Sequence, residues 1–192
     1  MSPSNPPKPT YYYTLNYPLT NTRLNPQLPA VLRIERFAVS PPFHTQRIIY
    51  AGKGHHRNAY AYHQWIAPPG EMLPYFLARD FSKTNGFKAV LTPNTSLTAT
   101  HSLHGWVEEF IEDDGSKEGA AVAAIHITLV NNLNIDPTGK ILLQKRYHAR
   151  VPCLSATPAA LAESMSTAVA KISAEIARDV YSQLSSGGAL KH

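Results

Sequence analysis

Hydrophobic and polar positions alternate along most of this chain, and helical spacing replaces the alternation in only two places. Tyr11–Tyr17 (YYYTLNY) is aromatic and rich in β formers, which predicts an opening strand. Thr20–Pro29 follows as a polar loop. Ala30–Val39 then alternates. Val31, Arg33, Glu35 and Phe37 fall on one face and Leu32, Ile34, Arg36 and Ala38 on the other, so a second strand is expected. Ser40-Pro41-Pro42 stops it, because proline has no N–H to give to a ladder. Arg47–Ala51 and Asn58–Tyr62 read as short strands, and Gly52-Lys53-Gly54-His55-His56-Arg57 joins them as a hairpin turn. Phe87–Leu91 is a further strand. Three longer β segments come next: His101–Glu112, Ala120–Asn131 and Lys140–Val151. Asp113-Asp114-Gly115-Ser116 and Asp136-Pro137-Thr138-Gly139 separate them with strong turn chemistry. In the second, Ile125, Ile127 and Leu129 share a face opposite His126, Thr128 and Val130. In the third, Leu143, Tyr147, Ala149 and Val151 share one parity. The pattern implies an antiparallel meander with one face against helices and one wetter.

Helical spacing appears first after Pro68-Pro69-Gly70-Glu71, where Met72, Leu73, Phe76, Leu77 and Phe81 line one side and Asn85-Gly86 supplies a stop. Pro74 requires either a later start or a kink. The second helix is the clearest element of the chain. Ser155-Ala156-Thr157-Pro158 offers an N-cap and an early proline. Leu161, Met165, Val169, Ile172, Ile176, Val180 and Leu184 then form one apolar stripe that ends at Ser185-Ser186-Gly187-Gly188. The elements add up to an α/β fold, a mixed and largely antiparallel sheet with packed helices. Residues 11–187 form one domain, after a proline-rich, disordered tether at 1–10 and before a short tail at 188–192.

Composition narrows the function classes. No run approaches the roughly 18 apolar residues that a spanning helix needs, and Met1–Thr10 has no apolar core of a signal peptide. The single cysteine, Cys153, cannot close an intrachain disulfide and reads as a small buried residue. The net charge of +5 is uneven. Up to Gly70, Lys8, Arg23, Arg33, Arg36, Arg47, Lys53 and Arg57 face one acid, Glu35, whereas Glu108, Glu109, Glu112, Asp113, Asp114 and Glu118 make an acidic run. A basic half suits anionic headgroups, nucleic acid or an acidic protein, and equally an ordinary solvated surface.

The chain shows no catalytic constellation. Nine histidines raise the question of a metal, and His55, His56 and His63 cluster in sequence while His104 and His126 would face each other across the meander. They lack the tight ligand pairs of a zinc site, and surface or packing roles account for them. Gly52-x-Gly54 lacks the third glycine and the following helix of a phosphate loop. Glu108, Glu112 and Asp114 would share a strand face near a turn, as solvated carboxylates. No RNP-type motif accompanies the basic and aromatic residues, so nucleic acid is not expected. The spot that stands out is Trp65 beside Tyr60, Tyr62 and His63, near Lys53 and Arg57. These six residues are the candidate contact surface for a partner, an acyl chain or a headgroup. The competing reading places Trp65 in the core, between hairpin and helix.

Four stretches in order carry a family resemblance: YYYTLNYP, LRIERFAVSPPF with QRIIY, AYHQWIAPPGEML, and DPTGKILLQKRYHARVP leading into the Ala-rich last helix. Together they resemble the auxiliary lipoproteins of MCE-type ABC transport systems (the PqiC/YmbA type). The resemblance covers Tyr11–Leu184. Ile66-Ala67 stands where that family more often has an acidic residue after the tryptophan, and Pro74 interrupts its first helix. The resemblance implies a fold like the TolB N-terminal and anticodon-binding-like domains. It implies a non-catalytic lipoprotein with no cofactor and no metal, at the periplasmic face of the envelope and anchored in the outer membrane. The anchor would lie upstream, with Ser2–Thr10 as its tether. The implied partners are an MCE-domain protein and its permease and ATPase, with homo-oligomers as a further expectation. The alternative is a stand-alone module that binds a lipid or small hydrophobe.

Overall fold

The structure is a computed structural model that describes residues 8–19, 22–51, 54–113 and 119–188. Among the described residues, a nine-stranded mixed sheet carries two long helices. The strands are β1 (Tyr11–Tyr13), β2 (Leu28–Ile34), β3 (Ala38–Val39), β4 (Arg47–Ala51), β5 (Arg57–Trp65), β6 (Phe87–Leu91), β7 (His101–Asp113), β8 (Ala120–Asn131) and β9 (Ile141–Pro152). The helices are α1 (Pro69–Lys83), a single turn α2 (Pro137–Lys140) and α3 (Pro158–Gly188). The α/β class and the mixed sheet are as the pattern indicates. The long ladders, β7–β8 and β8–β9, are antiparallel, as is the β4–β5 hairpin. The short pairings are parallel: β1 with β5, β2 with β6, and β2, β3 and β4 with β7. Crossovers through α1 and the β3–β4 region make those parallel contacts, and local alternation carries no signal for them.

The second strand differs from its expectation. The alternation of Ala30–Val39 suggests one strand, yet the chain leaves the ladder after Ile34 and rejoins it for only two residues. Phe37 sets the break. Its ring lies over Gly105 of β7, where a Cβ would meet Phe37 Cδ1 at 2.4 Å, so Phe37 turns inward against the parity of its neighbours. The opening strand is also shorter than YYYTLNY suggests. After Tyr13 the chain departs toward the helices, with Leu15 and Tyr17 buried there.

Helix α1 runs unbroken through Pro74. A proline leaves the carbonyl four residues earlier without its helical partner. Here that carbonyl, Gly70 O, accepts from the Phe37 N–H at 3.3 Å, so the vacancy in the helix holds the β2–β3 connection. Asn85, in the left-handed region at φ 56°, ends the helix as expected. In α3, Thr157 caps the N-terminus by accepting from Ala160 N at 3.2 Å. The stripe from Leu161 to Val180 is buried to within 1% at each of its positions, against Ile125, Ile127 and Leu129 of β8. Asp136-Pro137-Thr138-Gly139 forms the turn α2, with the Asp136 carboxylate accepting from Thr138 N and Oγ1.

Ion pairs run from β9 to α3 and, across β8, to β7, and in two of them the carboxyl is held low. Asp179 on α3 accepts from Lys145 Nζ at 2.6 Å and from Tyr147 Oη at 2.7 Å. Partial burial raises the Asp179 carboxyl, but the bonds from Lys145 and Tyr147 outweigh it and hold the pKa below the ordinary value. Glu108 is likewise held low, first by its bond from Arg146. Both carboxyls are depressed in the folded state. They stabilise the protein fully above the unfolded carboxylate pKa of about 4, and lose that contribution as pH falls through their lower folded values. Urea midpoints are therefore expected to decline below about pH 4. Asp179→Asn combined with Glu108→Gln should flatten that decline, and an unchanged slope would show that other carboxylates govern it.

Candidate functional site

The outer rim of the hairpin gathers aromatic and basic side chains on two faces of one strand. β5 has four residues between the partners of Arg47 and Ile49, where β4 has one, so it bulges between Ala59 and Gln64. The bulge lets Tyr60 and His63 meet, with ring centroids 5.8 Å apart, although simple alternation would part them. β1 then adds alongside β5 in parallel, with Tyr11 opposite His63 and Tyr13 opposite Trp65. Tyr11 stacks on the His63 ring at 5.3 Å. Tyr13 Oη lies 2.9 Å from His63 Nδ1, which fixes the imidazole. Burial, and then the neighbouring Tyr11, pushes the Tyr13 phenol up.

Beneath this layer Tyr60 donates to Glu112 Oε2 at 2.8 Å and packs on Tyr50 at 4.9 Å. Burial and then the Glu112 bond push the Tyr60 phenol well above its usual value. Tyr60 is therefore a half-buried strut between β5 and β7. Tyr62 points outward and is 43% exposed, with Lys8 Nζ 5.7 Å from its ring centroid. Tyr12 and Ile66 extend the same rim at 59% and 56% exposure. Arg57 is exposed at the start of β5. Lys53 lies outside the described residues.

Of the six expected contact residues, Trp65 is corrected. Its side chain is 1% exposed and meets Phe110 edge to face at 5.2 Å. An indole so enclosed presents nothing to a partner; it packs the core between hairpin, β7 and α1. Tyr62 and His63 lie on the rim, Tyr60 just under it, and Arg57 at the other end of β5, beside the depression that Glu109 and Asp113 line. Tyr11, Tyr12 and Ile66 join the rim although they are not among those six. The exposed triple tyrosine was legible as a strand, but only the parallel β1–β5 pairing places it beside the hairpin.

Two further expectations are also corrected. Glu108 and Glu112 do not share a face, because β7 bulges between Val107 and Glu109. Glu112 is buried at 6% exposure, whereas Glu108 faces outward to Arg146 and His126. Asp114 lies outside the described residues. His104 stands opposite Thr128, and His126 opposite Trp106, so the two histidines do not face each other. Among the described residues no three His, Cys, Asp or Glu side chains gather as metal ligands. Cys153 is buried and its thiol is pushed up by that burial, which favours the protonated form. Among the described residues no helix is long and apolar enough to cross a membrane.

Most of this sheet and of its two covering helices falls within a single family pattern. The model of the ABC-type transport auxiliary lipoprotein component matches residues 13–177. The chain belongs to that family. Membership links the auxiliary lipoprotein to an ABC-type transport system and to the cell envelope. No protein of curated function matches it. Among solved structures, protein XCC0632 from Xanthomonas campestris is similar at TM-score 0.80 and 17% identity, over 95% of this chain and 99% of that one. An uncharacterized protein is similar at TM-score 0.70 and 19% identity, over 90% of this chain and 99% of that one. The hypothetical protein CT253 from Chlamydia trachomatis is similar at TM-score 0.52 and 10% identity, over 82% and 98%. At these identities the likeness is one of fold.

Proposed function

We propose that this auxiliary lipoprotein is a non-catalytic subunit of an MCE-type ABC transport system, and that it works by docking the MCE-domain protein. The system would move phospholipid or another hydrophobic molecule across the envelope. The subunit would sit at the periplasmic face, held to the outer membrane by a lipid anchor N-terminal to β1, with self-association as part of the same proposal. The observation that carries the reading is the rim of β1 and β5. Tyr11, Tyr12, Tyr62 and Ile66 are each more than 40% exposed, with Lys8 over the Tyr62 ring and Arg57 exposed at the other end of β5, while Tyr50 and Tyr60 in the rest of the hairpin are packed on each other. Large exposed aromatics next to basic groups are the composition of a protein contact patch.

The test is capture of the MCE-domain protein from the same organism by the purified domain. Tyr62→Ala combined with Arg57→Glu is expected to weaken capture about tenfold or more while circular dichroism stays unchanged. Capture that is indifferent to both substitutions would place the contact elsewhere. A second reading, a module that itself carries a small hydrophobe, rests on one cavity of about 340 Å³ beside the C-terminal end of α3. Leu28, Ala30, Leu142 and Leu184 supply its apolar lining. A native mass spectrum with bound lipid, together with failed capture, would favour that second reading.

A further inference from the structure

The face of the sheet turned away from α1 and α3 carries a tryptophan that packing does not explain. Trp106 is 41% exposed in the middle of β7. It is nonetheless held rigidly. Its ring stacks on His126 at 4.7 Å with 23° between planes, and its Nε1–H donates to Ser40 Oγ at 3.0 Å. His126 is in turn fixed by Glu108 at 3.3 Å, and Glu108 by Arg146. The ring thus stands as a wall whose orientation is set by two direct contacts, one of them braced from behind by Glu108 and Arg146. Beside it lies an open depression of about 340 Å³ lined by His104, Trp106, His126, Thr128 and Gln144, with the backbone of Gly105. Gln144 Nε2 donates to Thr128 Oγ1 at 3.3 Å, which leaves the amide its carbonyl oxygen and a second N–H.

We propose that this depression is a saccharide-binding platform, with Trp106 stacking on the apolar face of a sugar ring and Gln144, Thr128 and His104 bonding its hydroxyls. The chemistry of the lining selects this class. A purely apolar ligand would gain little, because the depression is open and most of its side chains are hydrogen-bonding groups. A phosphorylated ligand would need an uncommitted cation; no lysine or arginine lines the depression, and Arg146, two residues along β9 from Gln144, is already paired with Glu108 and Glu109. A pyranose ring has the needed combination: a C–H face for the indole, and hydroxyls that both donate and accept. An ordinary cross-strand Trp–His pair would stabilise the sheet equally well without an indole N–H bond to β3's following residue or a polar shelf beside it. The inference does not depend on the docking reading, because the β1–β5 rim is a separate surface.

The experiment titrates the purified domain with chitotriose, cellotriose and maltotriose, read by calorimetry and by tryptophan fluorescence. The only other tryptophan, Trp65, is 1% exposed and serves as an internal reference. One of the trisaccharides is expected to bind with a Kd of about 1 mM and to perturb the Trp106 emission. Trp106→Ala should weaken binding by about tenfold or more, and Gln144→Ala by about threefold. Gln144 is exposed, so its variant tests the site even if Trp106→Ala disturbs the sheet. No binding at about 50 mM sugar, some fifty times the expected Kd, would overturn the proposal. Undiminished binding by both variants would overturn it as well. If the sugars are silent and Trp106→Ala instead abolishes capture of the MCE-domain protein, the face is a protein interface and the saccharide assignment falls.

Discussion

Asp80→Ala is expected to lower stability by about 3 kcal/mol, visible as a fall of about 10 °C in Tm. Asp80 is 8% exposed on α1 and serves three elements. Its Oδ2 accepts from Tyr17 Oη at 2.8 Å and from Ser173 Oγ of α3 at 2.7 Å, and its Oδ1 accepts from Arg79. Arg79 also lies over the rings of Tyr17 and Phe76, at 4.5 and 4.8 Å. Alanine would leave two buried hydroxyls without an acceptor, and each such group costs about 1–3 kcal/mol. The arginine, about one-third exposed, can turn to water, so its charge adds little to the loss. Burial, and then the Asp80 carboxylate, pushes the Tyr17 phenol far above its ordinary value, as expected for a hydroxyl that donates to a buried anion. Asp80→Asn keeps an acceptor oxygen in place and should cost about half as much. A midpoint for Asp80→Ala within about 0.5 kcal/mol of wild type would show that water satisfies these hydroxyls after all.

The periodic elements were legible because one physical term governs them. The α3 stripe and the alternating residues of β8 are each decided by burial against a single partner layer, so Leu161–Val180 and Ile125–Leu129 appear in the pattern as they appear in the core. Elsewhere a second term overrides the pattern. Phe37 obeys the space above Gly105 rather than its strand parity. Pro74 stays inside α1 because its lost bond is replaced from outside the helix, by Phe37 N. The bulges in β5 and β7 each reverse a face, and neither has a glycine or proline at the site to announce it. Nothing local marked Asp80, since its partners are far along the chain at Tyr17 and Ser173.

The candidate site was half legible for the same reason. Tyr62, His63 and Arg57 are exposed or half-exposed in a hairpin, which composition and turn chemistry indicate directly. Tyr11 and Tyr12 join them only through a parallel pairing across fifty residues, and such a pairing leaves no trace in local periodicity. Trp106 was one alternating residue among many in a long strand. Its significance comes from what β3 and β8 place beside it, Ser40 and His126.

Trp65→Ala carries the largest expected effect, about 4 kcal/mol, because it removes the most voluminous fully buried side chain and leaves a cavity that the sheet cannot close. Trp65 ends β5, pairs by its backbone with Tyr13 of β1, and packs its ring on Phe110 of β7 within the core cluster, so its loss opens the core between hairpin and β7. Its backbone N–H donates to Gln46 O at 2.6 Å, which holds the strand end in place whatever the side chain. The damage should therefore be one of packing, and Trp65→Phe, which refills part of the volume, should cost about 2 kcal/mol. This sets Trp65 against Tyr62, three residues away. Tyr62→Ala removes an outward ring and should leave the urea midpoint within about 0.5 kcal/mol of wild type while weakening partner capture. Trp65→Phe should do the reverse, shifting the midpoint while leaving capture intact at temperatures where the variant is folded. Loss of capture by folded Trp65→Phe, at full occupancy of the native state, would mean that the core residue shapes the contact surface. The rim would then be one mechanical unit with the core beneath it rather than a patch laid upon it.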